Sequence, residues 1–251
     1  MKKHIYKNNI GEYIKHAGKL WRLVVYILIA ITVITFLAYF YFPNTKIRNS
    51  EVFSNIVIIQ TNEGVGSGFF VSGSKVLTAA HVVKDVGNQV TIISPNGTLY
   101  KGIVKASDYQ ELKKFIVEGE NGLKVSDVSE ATKFDWALVE TTSENTGYLN
   151  IGVTSSIKQT DDVLLAGYPL GTKELVTPKG NITTIDNYRL TVNQQIDPGF
   201  SGSPLLIYSG NHYTAIGIVV SSPIYMKSIG ANAVSLDWVK ERCSQFGVSL
   251  Q

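Results

Sequence analysis

The residues best suited to chemistry fall in one stretch, Ile196-Asp197-Pro198-Gly199-Phe200-Ser201-Gly202-Ser203-Pro204-Leu205. Ser201 stands between Gly199 and Gly202, after a proline turn and ahead of a strand-like run, Pro204–Tyr208. That arrangement suits a nucleophile whose own backbone must also bind charge. When a serine hydroxyl attacks an amide carbonyl, the carbonyl oxygen becomes an oxyanion. Converging N–H groups stabilise it, and losing one donor costs roughly 10²–10³ in rate. Gly199 and Ser201 are the candidate donors, and glycine lets the backbone turn without a Cβ clash. An ordinary Gly/Ser/Pro turn between two strands accounts for the same decapeptide. A serine nucleophile also needs a base and an orienting acid, so the rest of the chain must decide.

Two further stretches bear on that question. Gly66-Ser67-Gly68-Phe69-Phe70-Val71 leads through a turn into Val76-Leu77-Thr78-Ala79-Ala80-His81-Val82-Val83, and Phe134-Asp135-Trp136-Ala137-Leu138-Val139-Glu140 follows. The motifs around His81, Asp135 and Ser201 resemble the His, Asp and Ser motifs of the trypsin-like serine proteases, in that family's chain order. The resemblance implies His81 as general base and acid, Asp135 as its orienting carboxylate and Ser201 as nucleophile. Val163–Gly171 and Ala231–Lys240 are similar to stretches of the HtrA/Deg-type bacterial envelope proteases. The similarity runs from about residue 55 to 245. Phe200 departs from that family's usual Asn and Ser203 from its usual second Gly. The segment between His81 and Asp135 carries a polar insertion near 109–132. The sequence stops after the protease-like region, so it is read as lacking the family's PDZ domain.

Charge divides the chain. Residues 1–50 carry eight Lys/Arg against Glu12 alone, a balance of +7, and residues 51–251 a balance of −4. The larger part is mildly acidic with no basic tract, which argues against nucleic acid as a partner. Leu23–Thr45 is 23 residues without a charge, and Leu23–Phe42 is almost wholly apolar. As a helix such a run rises roughly 34 Å, enough for a hydrocarbon core of about 30 Å. Aromatic residues mark both ends, as at membrane interfaces. A cleaved signal peptide has a shorter apolar core followed by small residues, whereas this run ends in Tyr39-Phe40-Tyr41-Phe42. The expected organisation is therefore a cytoplasmic basic tail (1–22), a transmembrane anchor (23–42), a linker (43–52) and a trypsin-like serine protease domain (53–251). Lys2, Lys3, Lys7, Lys15, Lys19 and Arg22 keep the N-terminus inside. The protease domain would then lie on the periplasmic or extracellular side of a bacterial inner (cell) membrane.

Beyond the anchor the pattern is short runs of β-branched and aromatic residues divided by Gly, Asn, Asp and Ser. Strands are expected at Val52–Gln60, Ser67–Val71, Lys75–Thr78, Gln89–Ser94, Leu99–Val104 and Trp136–Glu140. A second series is expected at Val163–Ala166, Thr183–Ile185, Arg189–Gln194, Ser203–Ser209, Thr214–Ser221 and Asn232–Val234. A helix from Ser235 to about Gln245 closes the pattern, with Ser235 placed to cap it. The fold class is all-β, a barrel or sandwich. The resemblance selects two six-stranded antiparallel barrels of the chymotrypsin type, His81 and Asp135 on the first and Ser201 on the second. The insertion is expected as a surface loop with one helical turn.

Other candidates carry less. Gly64–Gly68 lacks the Lys-Ser/Thr of a phosphate loop, and Gly199–Ser203 is not the elbow of an α/β-hydrolase. Cys243 is the single cysteine, which excludes an intrachain disulfide, and it is read as structural. His212 is read as an exposed turn residue and Asp197 as a turn residue. No metal site and no cofactor are expected. The resemblance puts Gln195 at the floor of the specificity pocket, with Val219, Val220 and Ser221 in the strand beside it. None of these can pair a charged substrate side chain, so cleavage after small or medium uncharged residues is expected. The reading is a membrane-anchored serine endopeptidase acting on polypeptides through an acyl-enzyme, in envelope protein processing or quality control. Its alternative is a catalytically silent protease-like module that binds peptides. Oligomeric state is left open.

Overall fold

The computed structural model describes residues 51–119, 122–221 and 230–250, together with Trp21. The basic tail, the apolar run at 23–42 and the tether up to residue 50 lie outside the described residues, apart from Trp21. No helix among the described residues is long and apolar enough to cross a membrane.

Twelve strands close into two six-stranded antiparallel barrels. The first is built from β1 (Ile56–Gln60), β2 (Val65–Phe70), β3 (Lys75–Thr78), β4 (Gln89–Ile93), β5 (Leu99–Ser107) and, after the insertion, β8 (Ala137–Thr141), in the order β1-β2-β3-β8-β5-β4. The second uses β9 (Asp162–Leu165), β10 (Lys179–Ile185), β11 (Arg189–Val192), β12 (Pro204–Ser209), β13 (His212–Ser221) and β14 (Ala231–Ser235), ordered β10-β11-β14-β13-β12-β9.

Several strands are apolar on both faces because each faces two different cores. A strand alternates its side chains. Val57 and Ile59 of β1 therefore fill the first barrel, while Ile56 and Ile58 enter a seam shared with the second. Phe70 and Phe69, Val76 and Leu77, and Val139 and Leu138 divide in the same way. On β13, Ile216 and Val219 fill the second barrel, whereas Ile218 and Val220 face the seam. Tyr168 crosses that seam, its hydroxyl donating to the Ile56 carbonyl at 3.1 Å. Burial pushes its phenol up to about 12. Strands with one wet face keep plain alternation, as in β5, where Tyr100, Gly102, Val104 and Ala106 are buried between exposed or half-buried neighbours.

Two expectations need correction. The first strand does not begin at Val52. Residues 51–53 form a helical turn, Asn55 Nδ2 and Ser54 Oγ donate to the Glu51 carbonyl, and Val52 and Phe53 pack on the seam. The insertion is not a solvated loop. It contains α2 (Tyr109–Lys113), a hairpin of β6 (Ile116–Gly119) and β7 (Gly122–Val125), and α3 (Val128–Thr132); α1 (Ala80–Val83) precedes it at the histidine. Leu112 and Ala131 are buried in the first barrel's core, with Tyr109, Phe115, Ile116, Val125 and Phe134 packed around them. The apolar residues that anchor the segment are scattered among its charges, which hides their common face in the sequence.

The chain ends the described fold in α4 (Leu236–Gln245), where Ser235 accepts from the Trp238 N–H as an N-cap. Val239 and Cys243 bury its inner face in the seam.

Candidate active site

His81 lies in α1, a single turn directly after β3, and Asp135 immediately precedes Trp136 and β8, the strand paired with β3. Adjacent strand ends therefore deliver both side chains to one edge of the first barrel. The Asp135 carboxylate accepts twice from the same residue: Oδ1 from the His81 backbone N–H at 2.9 Å and Oδ2 from the ring at Nδ1, 2.7 Å away. That second bond assigns the proton to Nδ1 and leaves the Nε2 lone pair for chemistry. Asp135 is 9% exposed at its side chain and His81 36%. Burial alone would lower the imidazole pKa. The Asp135 charge and hydrogen bond outweigh it, so the net displacement is upward from the ordinary histidine value.

Only the neutral imidazole accepts a proton, so a raised pKa moves the onset of activity to higher pH. The acid limb of kcat/KM should have its midpoint above about 6.5, the ordinary histidine value. Asp135→Asn should lower kcat by about 10⁴ and move the midpoint down, because the amide neither holds the tautomer nor favours the imidazolium. Steady-state kinetics across pH measure both, and a wild-type midpoint below the ordinary value would contradict the assignment. The same pair stabilises the fold fully below about pH 6.5, and that contribution is lost as pH rises through the raised folded value.

Ser201 sits on the turn entering β12 of the second barrel, and β2 of the first barrel holds this turn. Ser67 N–H donates to the Ser201 carbonyl at 2.8 Å, and Ser67 Oγ donates to the Gly199 carbonyl at 2.7 Å. The same hydroxyl accepts from the Tyr168 N–H at 3.0 Å, and Thr78 Oγ1 donates to the Ser67 carbonyl at 2.7 Å. One buried serine thus ties the turn to the β3 end that carries His81. Gly202 has φ +88°, and a Cβ there would overlap the Ser67 carbonyl and Thr78 Oγ1. Gly199 has φ +99°, with the Tyr168 carbonyl 2.5 Å and the Leu170 nitrogen 2.7 Å from where a Cβ would stand.

The turn's backbone donors divide cleanly. Phe200 N–H donates to the Asp197 carbonyl, Gly202 N–H to Val219 and Ser203 N–H to Phe200. Those of Gly199 and Ser201 have no acceptor among the described residues. Leu170 N–H donates to the Pro198 carbonyl at 2.6 Å, which turns the other side of that planar peptide, the Gly199 N–H, away from Leu170. Leu170 adopts the left-handed region at φ 53° to make this contact, a conformation costing a non-glycine residue roughly 1–2 kcal/mol. Phe200 and Ser203, the two departures from the family pattern, are both core residues, 2% and 0% exposed. The Ser203 hydroxyl has no hydrogen-bond partner among the described residues.

The Ser201 hydroxyl lies 3.5 Å from the Val220 carbonyl, and no hydrogen bond joins it to His81 among the described residues. Of the residues expected beside the substrate, Gln195 is exposed. Val220 is buried with its carbonyl toward Ser201, and the Ser221 side chain lies outside those described. The Val219 side chain packs among the second barrel's core residues, and its N–H and carbonyl are both bonded to the Ser201 turn, through Ser203 and Gly202. Cys243 is fully buried and its thiol is pushed up to about 12, first by burial and then by Asp108, so it is no nucleophile. His212 is exposed at the start of β13, beside the turn, and the Asp197 carbonyl closes a turn on Phe200. Ser67, Thr78 and Leu170 are the site residues that sequence reasoning missed; Ser67 is visible there only as part of a glycine-rich run.

Two closed six-stranded antiparallel barrels define a recognisable class of fold. The trypsin-like peptidase domain family matches residues 66–218. Over 186 residues the chain is 30% identical to an Arabidopsis thaliana protein named as a mitochondrial Do-like 3 protease, covering 69% of this chain and 28% of that one. It is 29% identical over 181 residues to a Pseudomonas putida (strain GB-1) protein named as a DegP-like periplasmic serine endoprotease, covering 69% and 32%. The chain thus spans a third or less of these relatives' length. Among solved structures, the Rv3671c protease of M. tuberculosis H37Rv, in its inactive form, superposes with a TM-score of 0.58 at 19% identity, covering 82% of this chain and 98% of that one. That likeness speaks to the fold. The chain belongs to the trypsin-like peptidase family. Within it, residues of this chain are similar to the Do-like and DegP-like proteins over about two thirds of its length.

Proposed function

We propose that the protein is a membrane-anchored serine endopeptidase with His81, Asp135 and Ser201 as its triad. Ser201 Oγ attacks the peptide carbonyl as His81 Nε2 takes its proton, and Asp135 holds the ring through Nδ1. The Gly199 and Ser201 N–H groups receive the oxyanion. His81 then protonates the leaving amine, and water hydrolyses the acyl-enzyme by the same route in reverse. The carrying observation is the pair of unspent N–H groups on a turn fixed to the strand end that presents the Asp135-bound His81. Attack requires Oγ to leave Val220 by rotation about its Cα–Cβ bond, a motion of exposed side chains on the ps–ns scale. Catalytic hydrogen bonds are commonly long before substrate binds.

That same 3.5 Å contact to Val220 favours the second reading, a silent module that binds peptides in the cleft. Labelling with a fluorophosphonate probe decides between them. Covalent labelling of wild type but not of Ser201→Ala supports the peptidase, and absence of labelling in both supports the module.

The anchor rests on the 23 uncharged residues of Leu23–Thr45 and the basic tail before them. In intact spheroplasts, added protease should remove an epitope at Gln251 and spare one at Met1. A protected C-terminal epitope, or a mature N-terminus mapped near residues 40–50, would contradict the N-in anchor. Envelope protein processing or quality control is the role this placement fits, with polypeptides as substrates.

Gln195 is neutral, and residues 217–221 of β13 offer no charged or histidine side chain. A charged substrate side chain beside them would have no partner. A peptide-library digest should therefore show cuts after Val, Ala, Leu or Thr. A majority of cuts after Arg, Lys or Glu would rule this out.

A further inference from the structure

The C-terminal helix reaches both sides of the segment that carries Asp135. On one side, Trp238 Nε1 donates to the Lys133 carbonyl at 2.7 Å. On the other, Arg242 grips Asp108 with two bonds, Nε to Oδ2 at 2.7 Å and Nη2 to Oδ1 at 2.5 Å. Asp108 Oδ2 in turn accepts from Trp136 Nε1 at 2.8 Å. Trp238 and Arg242 are four residues apart and so share one face of α4. The backbone is held at residue 133 and, through its indole, at residue 136, with only Phe134 and Asp135 between. Asp108 is 3% exposed and Trp136 fully buried, so the bond between them is shielded from water. The Arg–carboxylate fork fixes direction as well as distance.

A helix docked only to cover the seam would need Val239 and Cys243 and nothing more. Instead Trp238 bonds the acid segment directly and Arg242 reaches it through Asp108, from an element over 100 residues further along the chain. We propose that Trp238 and Arg242, with Asp108 as the relay, are positioning residues that hold Asp135 in register with His81. This rests on the triad reading above. Asp135 must meet the ring and the backbone N–H of His81 at once, and a misplacement of about 1 Å at such a site can cost roughly 10²-fold in rate.

The test uses the full-length protein in detergent and reads two things: the His81 titration by NMR of its ring carbon, and kcat with KM. Among the described residues Asp135 is the charged group acting on His81. Asp108→Asn/Arg242→Met removes the α4 hold without leaving a buried charge unpaired. Trp238→Phe removes the other hold and keeps the ring's packing. Each should lower the His81 midpoint toward the ordinary value and reduce kcat roughly 10-fold or more, with KM nearly unchanged. Arg242→Lys, which keeps the charge but not the fork, should fall between. A folded variant with wild-type His81 titration and wild-type kcat overturns the proposal, even if its Tm drops. Should the double variant lose its folded far-UV signal, Trp238→Phe alone decides the matter. If wild type is not labelled by fluorophosphonate, the peptidase reading fails, and the His81 titration still judges the hold on Asp135.

Discussion

In Ser201→Ala, peptide turnover should fall by roughly 10⁴–10⁶ while Tm stays within about 2 °C of wild type. The two halves of that expectation have separate causes. Triad members act as a unit, so loss of the nucleophile removes nearly everything except oxyanion and binding effects. The fold barely uses the hydroxyl, whose one hydrogen bond among the described residues is the 3.5 Å approach to the Val220 carbonyl. What binds the turn to β2 is the Ser201 carbonyl, which alanine keeps. His81→Ala is a less clean test, because it strips the ring partner from a buried carboxylate. Turnover of a peptide substrate by purified Ser201→Ala at more than a tenth of the wild-type rate would defeat the triad as assigned.

Gly202→Ala should damage both fold and activity. At φ +88° the added Cβ is strained, and it overlaps the Ser67 carbonyl and Thr78 Oγ1 while lying 3.0 Å from the Ala79 nitrogen. These are backbone and buried atoms held by their own hydrogen bonds, so none can step aside cheaply. Strain of roughly 1–2 kcal/mol and overpacking of about 1–3 kcal/mol together predict a loss of about 2–5 kcal/mol. Relief by moving the turn would break the Ser67 bonds to Gly199 and Ser201 and displace the oxyanion donors, costing about 10² or more in kcat/KM. Denaturant unfolding and the rate of fluorophosphonate labelling measure the two effects. Wild-type values for both would mean that Ser67 does not brace the turn.

Local pattern makes much of this fold legible. β3 is expected at Lys75–Thr78 and lies at those residues, because its apolar run is bounded by a Gly/Ser turn and by the helical turn at His81. Ser235 is readable as a cap since capping is local chemistry. The insertion reads as a loop because Leu112 and Ala131 share a buried face only once the first barrel supplies the other side. Val219 and Val220 look alike in the sequence because β13 is apolar on both faces, and sequence cannot say which face meets which core. Ser67, bonded to Gly199 across 132 residues, has no local signature, since a buried serine and a turn serine look alike in a sequence. The same holds for Arg242 and Asp108, which meet across 134 residues.

The brace at Ser67 has a consequence for when the protein becomes a peptidase. Its strand belongs to the first barrel, and the turn that it shapes belongs to the second. During synthesis the N-terminal barrel emerges first and domains fold as units. A nascent chain therefore has neither a shaped oxyanion turn nor, on the hold proposed above, a seated Asp135 until the second barrel and α4 close against the first. On the peptidase reading proposed above, half-made or half-refolded molecules would be inert, so the order of assembly itself would spare neighbouring chains from digestion while they mature.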